Sequence, residues 1–172
     1  MPSRRFRLSV TAFIVLLAGT ASGEDEAAYG AWTVRCEQAD GDAAPECIMQ
    51  QNLVLRTGGQ PVLQFTLGLA PNDAQPTVLL KLPLGIYLPP GITLRIDAGP
   101  PATFPVERCD PDGCQAVMKM RPATLAALRA GQRFTITFHD AERRPLDMPL
   151  SLDGFGAAYD ALQAGSSGGA DQ

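Results

Sequence analysis

Proline and glycine punctuate this chain so often that it is expected to fold from short elements joined by many turns. The 172 residues include 15 Pro and 17 Gly, and either residue weakens or ends a helix or strand interior. Yet 45% of the residues are hydrophobic and only 19% are charged, enough apolar content for the core of one domain. Together these features exclude a disordered chain, a transmembrane bundle and a coiled coil.

Residues 1–23 (MPSRRFRLSVTAFIVLLAGTASG) read as an export signal. Arg4, Arg5 and Arg7 form a basic start, Leu8 to Ala18 an apolar run, and Ala21 and Gly23 the small residues of a cleavage site before Glu24. As a helix, that apolar run covers only about 16 Å, about half of a hydrocarbon core, so a retained membrane span is disfavoured. No Cys stands at the junction to carry a lipid. The leader removes three of the fourteen basic residues and no acid, leaving 11 basic against 18 acidic side chains, a net charge of −7. Nucleic acid and anionic membrane both call for a basic face and are not expected partners. The surplus of acid serves solubility.

All four cysteines, Cys36, Cys47, Cys109 and Cys114, follow the leader. An even count in an exported chain reads as disulfides, with three possible connectivities. Proximity favours Cys36–Cys47 and Cys109–Cys114, the second closing CDPDGC, where Pro111 and Gly113 suit a tight turn. A zinc site is the rival, but the spacings lack the paired C-x-x-C form of zinc ribbons. No cofactor is expected.

Along the remaining chain, Glu24 to Ala28 reads as a frayed acidic start. Ala31 to Glu37 reads as a strand with Trp32, Val34 and Cys36 on one face. Ile48 to Arg56 and Val62 to Leu69 form a hairpin across TGGQP. Thr77 to Leu82 is nearly all apolar, as for a strand buried on both faces. Further strands are expected near 85–88 and 92–97, and Ala102 to Cys109 and Gln115 to Met120 should flank the CDPDGC turn. Pro122 starts a helix that Gly131 ends. Strands follow at Gln132 to His139 and near Leu146 to Leu152. A second helix carries Phe155, Tyr159 and Leu162 on one stripe. GSSGGADQ (165–172) reads as a flexible tail after a domain spanning 24–164. The expected fold is all-β, a disulfide-bridged antiparallel β-sandwich with one or two short helices.

Four stretches stand in order along the chain: Trp32-Thr-Val-Arg-Cys36, Leu82-Pro-Leu-Gly-Ile86 through Pro90-Gly91, Cys109-Asp-Pro-Asp-Gly-Cys114-Gln-Ala116 and Ser151-Leu-Asp-Gly-Phe155. Together they resemble the invasion-associated locus B (IalB) family of exported bacterial proteins. The resemblance implies a β-rich domain in the envelope or outside the cell, and the same two Cys pairs. The family takes its name from members linked to host-cell invasion. It supplies no catalytic residues to carry over, and none is assigned.

Candidate chemistry is sparse. His139, the single His, sits at a strand end beside Asp140. A Ser–His–Asp hydrolase would need it as base, but the only serines after the leader are Ser151, Ser166 and Ser167, and no Gly-x-Ser-x-Gly elbow is present. Glu107, Asp110 and Asp112 offer oxygens for Ca²⁺, yet the twelfth position counted from Asp110 is Arg121, not Glu. An Asx-stabilised turn is the better account. The surface candidate is Tyr87, Leu88, Pro89 and Pro90, which either cap the sandwich or contact a partner; capping is the commoner fate of such residues.

The reading that follows is a non-enzymatic, periplasmic or secreted protein acting through binding to an envelope component or a host surface. The alternatives are a carboxylate-dependent hydrolase and a small-ligand carrier. Mass spectrometry of the exported protein should find Glu24 as its first residue; a chain still beginning at Met1 would remove the case for a cleaved leader.

Overall fold

The computed structural model describes residues 25–37, 45–54, 59, 61–70, 73 and 75–167. Residues 1–24, with the expected leader and its cleavage point, lie outside these, as do 38–44, 55–58, 60, 71, 72, 74 and 168–172. The end of the expected Ile48–Arg56 strand, most of its TGGQP turn and the end of the expected tail are therefore not described. Among the described residues, eleven strands and two helices follow in chain order. The strands are β1 (Asp25–Tyr29), β2 (Trp32–Glu37), β3 (Glu46–Val54), β4 (Pro61–Gly68), β5 (Thr77–Leu82), β6 (Ile92–Ile96), β7 (Ala102–Phe104), β8 (Arg108–Asp110) and β9 (Gly113–Lys119). Helix α1 (Pro122–Ala130), strands β10 (Arg133–His139) and β11 (Pro145–Ser151), and helix α2 (Phe155–Ser167) complete the chain. They form a seven-stranded sheet in the order β1-β2-β3-β4-β5-β9-β8 and a four-stranded sheet in the order β11-β10-β6-β7. Every pairing between named strands is antiparallel.

The alternation of apolar residues decides which face of each strand turns inward. Leu63, Phe65 and Leu67 on β4, Val78, Leu80 and Leu82 on β5, and Phe134, Ile136 and Phe138 on β10 all point into the space between the sheets. Aromatic rings then run through that space. Phe155 of α2 meets Trp32 at 5.1 Å, Trp32 meets Phe65 at 5.5 Å, and Phe65 meets Phe134 at 5.4 Å, each edge to face. Such pairs contribute about 0.5–1.5 kcal/mol each beyond the area they bury. A polar contact joins the sheets alongside them. Buried Gln51 donates from Nε2 to the Ser151 carbonyl at 2.9 Å and accepts the Ser151 N–H on Oε1 at 2.8 Å.

Cys36 bonds to Cys47 and Cys109 to Cys114, as both proximity and the resemblance imply. Each bridge links residues directly opposite on neighbouring strands. Helix α1 begins with Pro122 at its first turn, as expected. Its stop at Gly131 differs from a left-handed glycine cap, for Gly131 has φ −76°. Here a side chain would strike the Ala127 carbonyl and Ile96, so close packing is what calls for glycine.

The structure corrects five sequence expectations. Asp25 to Ala28, expected to be frayed, is strand: β1 pairs with β2 through a two-residue turn in which Gly30 has φ +58°. Thr77 to Leu82 is buried on one face only, because Leu79 points to the bare outer side of an antiparallel sheet. No strand forms at 85–88; Tyr87 makes a single bridge to His139. The stretch from Ala102 to Cys109 is two strands in different sheets, since Pro105 has no N–H to continue a ladder. Finally, α2 continues through Gly165, Ser166 and Ser167, residues read above as tail. Gly165 lies so close to both sulfurs of Cys36–Cys47 that any side chain there would collide with them.

Replacing Gln51 with Leu keeps the volume but strands the Ser151 N–H, which should cost about 2 kcal/mol. Thermal unfolding should show the melting temperature falling by about 4–8 °C. Gln64→Leu, on the outer face, should change it little.

Candidate binding surface

The link from β5 to β6 carries the chain from one sheet to the other, and prolines and glycines give it its shape. Gly85 (φ +83°) allows a turn after Leu84, and Gly91 (φ +71°) closes a second turn by donating its N–H to the Leu88 carbonyl at 2.9 Å. A Cβ on Gly91 would come within 2.5 Å of the Phe104 carbonyl oxygen, so no other residue fits there. Between the turns, Ile86 packs against the core.

Tyr87 is the anchor of this link. Its N–H donates to the His139 carbonyl at 2.8 Å, and the Arg143 guanidinium lies 4.9 Å from its ring centroid. Around these fixed points the loop holds Leu84 at 55% exposure and Leu88 at 44%, with Pro89 and Pro90 exposed beside them. The capping expectation therefore fails for Leu88, Pro89 and Pro90. Ile86 covers the core instead, and the prolines can face water because they have no N–H left to satisfy.

Arg143 reaches Tyr87 from the 140–144 turn, in a left-handed conformation with φ +65°. Asp140 builds that turn. Its carboxylate accepts the Arg144 backbone N–H and Nε, both at 2.8 Å, and its carbonyl accepts the Arg143 N–H at 3.0 Å. Desolvation pushes the Asp140 carboxyl upward, but the hydrogen bonds and charge of Arg144 outweigh it and hold the group below its ordinary value. The sequence carried no sign of this support, since Asp140 to Arg144 reads as an ordinary charged turn.

The catalytic candidates are not brought together. Ser151 pairs with Arg133 and His139 with Pro145. Ser151 and His139 thus lie at opposite ends of β10, six residues or about 20 Å apart along the strand. Ser151 Oγ accepts the Asp153 N–H at 3.1 Å, while Ser166 and Ser167 sit in the last turn of α2. In the CDPDGC hairpin, Asp110 Oδ1 accepts the Asp112 N–H at 3.0 Å and Oδ2 accepts Gln115 Nε2 at 3.3 Å. That is the Asx-stabilised turn expected there. Glu107 is exposed, and no group of three or more metal-ligating side chains forms among the described residues.

A depressed carboxyl stabilises the fold fully above its unfolded value, about 3.9, and loses that contribution as pH falls through its folded value. Asp140→Asn should therefore lower the melting temperature at neutral pH and weaken its fall on acidification, as followed by circular dichroism between about pH 5 and pH 2.5.

Comparison with known proteins agrees with this architecture. The family model of the invasion associated locus B (IalB) protein matches residues 32–163. Invasion protein B homologs from Brucella abortus (strain 2308) and from Brucella abortus biovar 1 (strain 9-941) are each 36% identical over 159 residues. The match covers 91% of this chain and 88% of theirs. The crystal structure of invasion associated protein B from Bartonella henselae superposes with a TM-score of 0.71 at 25% identity, covering 81% of this chain and 95% of that one. With two disulfides of the kind that persist in oxidising compartments and a family match over most of its length, this chain belongs to the IalB family of invasion-associated proteins.

Proposed function

We propose that this protein works by binding rather than by catalysis, in the periplasm or after secretion, with an envelope component or a host-cell surface as its partner. The observation that carries this reading is the 83–91 loop. It presents Leu84 and Leu88 to solvent while Tyr87 and its neighbours hold the backbone in place. Apolar side chains on a fixed loop bind at small entropic cost, since little is left to order on contact. The separation of His139 from Ser151 along β10 supports a non-enzymatic role. The names of the Brucella and Bartonella relatives support a link to invasion.

A photo-cross-linking residue placed at Leu88 in the exported protein, activated in its own cell envelope, should give a discrete protein adduct. The same residue at Val117, on the outer face of the seven-stranded sheet, should not. The double variant Leu84→Ser/Leu88→Ser should keep the wild-type melting temperature and lose the partner. A partner held equally well by that variant would show that binding uses another surface.

A further inference from the structure

Away from the 83–91 loop, a groove of about 460 Å³ lies between α1 and the loop joining β6 to β7. That volume is within the range of small-molecule sites, about 300–1,000 Å³. Ile96 of β6 floors it above buried Leu94, with Pro100 and Pro101 on one side and Ala123, Ala127 and one hydroxyl, that of Thr124, on the other. The two alanines are four residues apart on one face of α1, and their small size keeps the groove open.

Both walls are fixed in position. Asp97 takes φ +47°, and its carboxylate accepts the N–H groups of Gln132 and Arg133 at 3.1 and 2.8 Å, while its own N–H donates to the Arg133 carbonyl. The two prolines restrict the loop further. On the other side, Leu128 is fully buried, and Arg129 grips Asp160 of α2 through two hydrogen bonds of 2.7 and 3.1 Å. The groove is thus preformed rather than waiting on a ligand to open it.

Its charge is as selective as its lining. Among the described residues Arg121 is the only charged one lining the groove; it is exposed and makes no ion pair with them. Asp97, the acid of the adjoining loop, is engaged with backbone N–H groups instead. A free guanidinium beside an apolar trough calls for a ligand with a carboxylate at one end and a hydrocarbon chain behind it.

We propose that this groove binds a single-chain fatty carboxylate, its tail over Ile96 between Pro101 and the two alanines and its head group paired with Arg121. The site is separate from the loop assigned above to partner binding and does not depend on that reading.

The test is calorimetric titration of the exported protein with three probes below their micelle concentrations: dodecanoate, dodecanol and dodecyltrimethylammonium. Dodecanoate should saturate one site and bind on the order of tenfold more tightly than either other probe, the scale of one charge-assisted hydrogen-bonded contact. Arg121→Gln should reduce dodecanoate to the affinity of dodecanol. Ala127→Trp, at an exposed helix position, should fill the groove and abolish binding with the melting temperature unchanged; Ala123→Trp serves the same purpose should the first variant fold poorly. Leu84→Ser/Leu88→Ser should leave dodecanoate binding intact. Equal binding of all three probes, binding retained in both filled variants, loss of binding in the loop variant, or no binding at all would overturn the proposal.

Discussion

Trp32 sits where the layers of this protein meet. Its ring packs edge to face with Phe65 in its own sheet and with Phe155 of α2, and Phe65 carries the contact on to Phe134 in the second sheet. Its indole N–H donates to the Ser151 carbonyl at 2.9 Å, at the end of β11. One side chain thus ties both sheets and the last helix together. All four rings are fully buried, and each contributes about 2–3 kcal/mol in burial alone.

The disulfides do a different job. Each joins neighbouring strands of the same sheet, so neither holds the sheets together. By the chain-entropy model bridges closing such short loops contribute about 2–3 kcal/mol each, mainly by restricting the unfolded chain. The buried aromatic run and the Gln51–Ser151 pair decide how the sheets are placed. The disulfides decide how firmly β2 with β3, and β8 with β9, stay paired.

Because the sheets are held internally, the links between strands are free to face outward. The 83–91 loop and the 140–144 turn lie side by side, joined by the Tyr87–His139 bridge and by Arg143 over the Tyr87 ring. The β6–β7 loop meets α1 elsewhere, and the groove forms where they meet. Both candidate binding features lie on connecting segments fixed by a rigid scaffold, where function commonly resides in β-rich proteins.

Much of this was legible in the residues. The period-two pattern of β2, β4 and β10, the Pro122 start of α1, the Phe155–Tyr159–Leu162 stripe of α2 and the Asx turn at Asp110 all follow from local rules of spacing and turn chemistry. Those rules act over a few residues, so a sequence displays them directly. Several of the failed expectations turned on a distant partner. β1 is ordered by pairing with β2, Gly165 by the Cys36–Cys47 bridge, and Tyr87 by His139 and Arg143, some fifty residues away. The exposure of Leu88, Pro89 and Pro90 arose locally instead, because neighbouring Ile86 takes the place at the core. The sequence by itself determined the class of fold and several turns, among them CDPDGC, and favoured the cysteine pairs closest along the chain. Which apolar residue of β5 reaches solvent, and which cation is left beside a groove, was decided only when segments far apart competed for the same space.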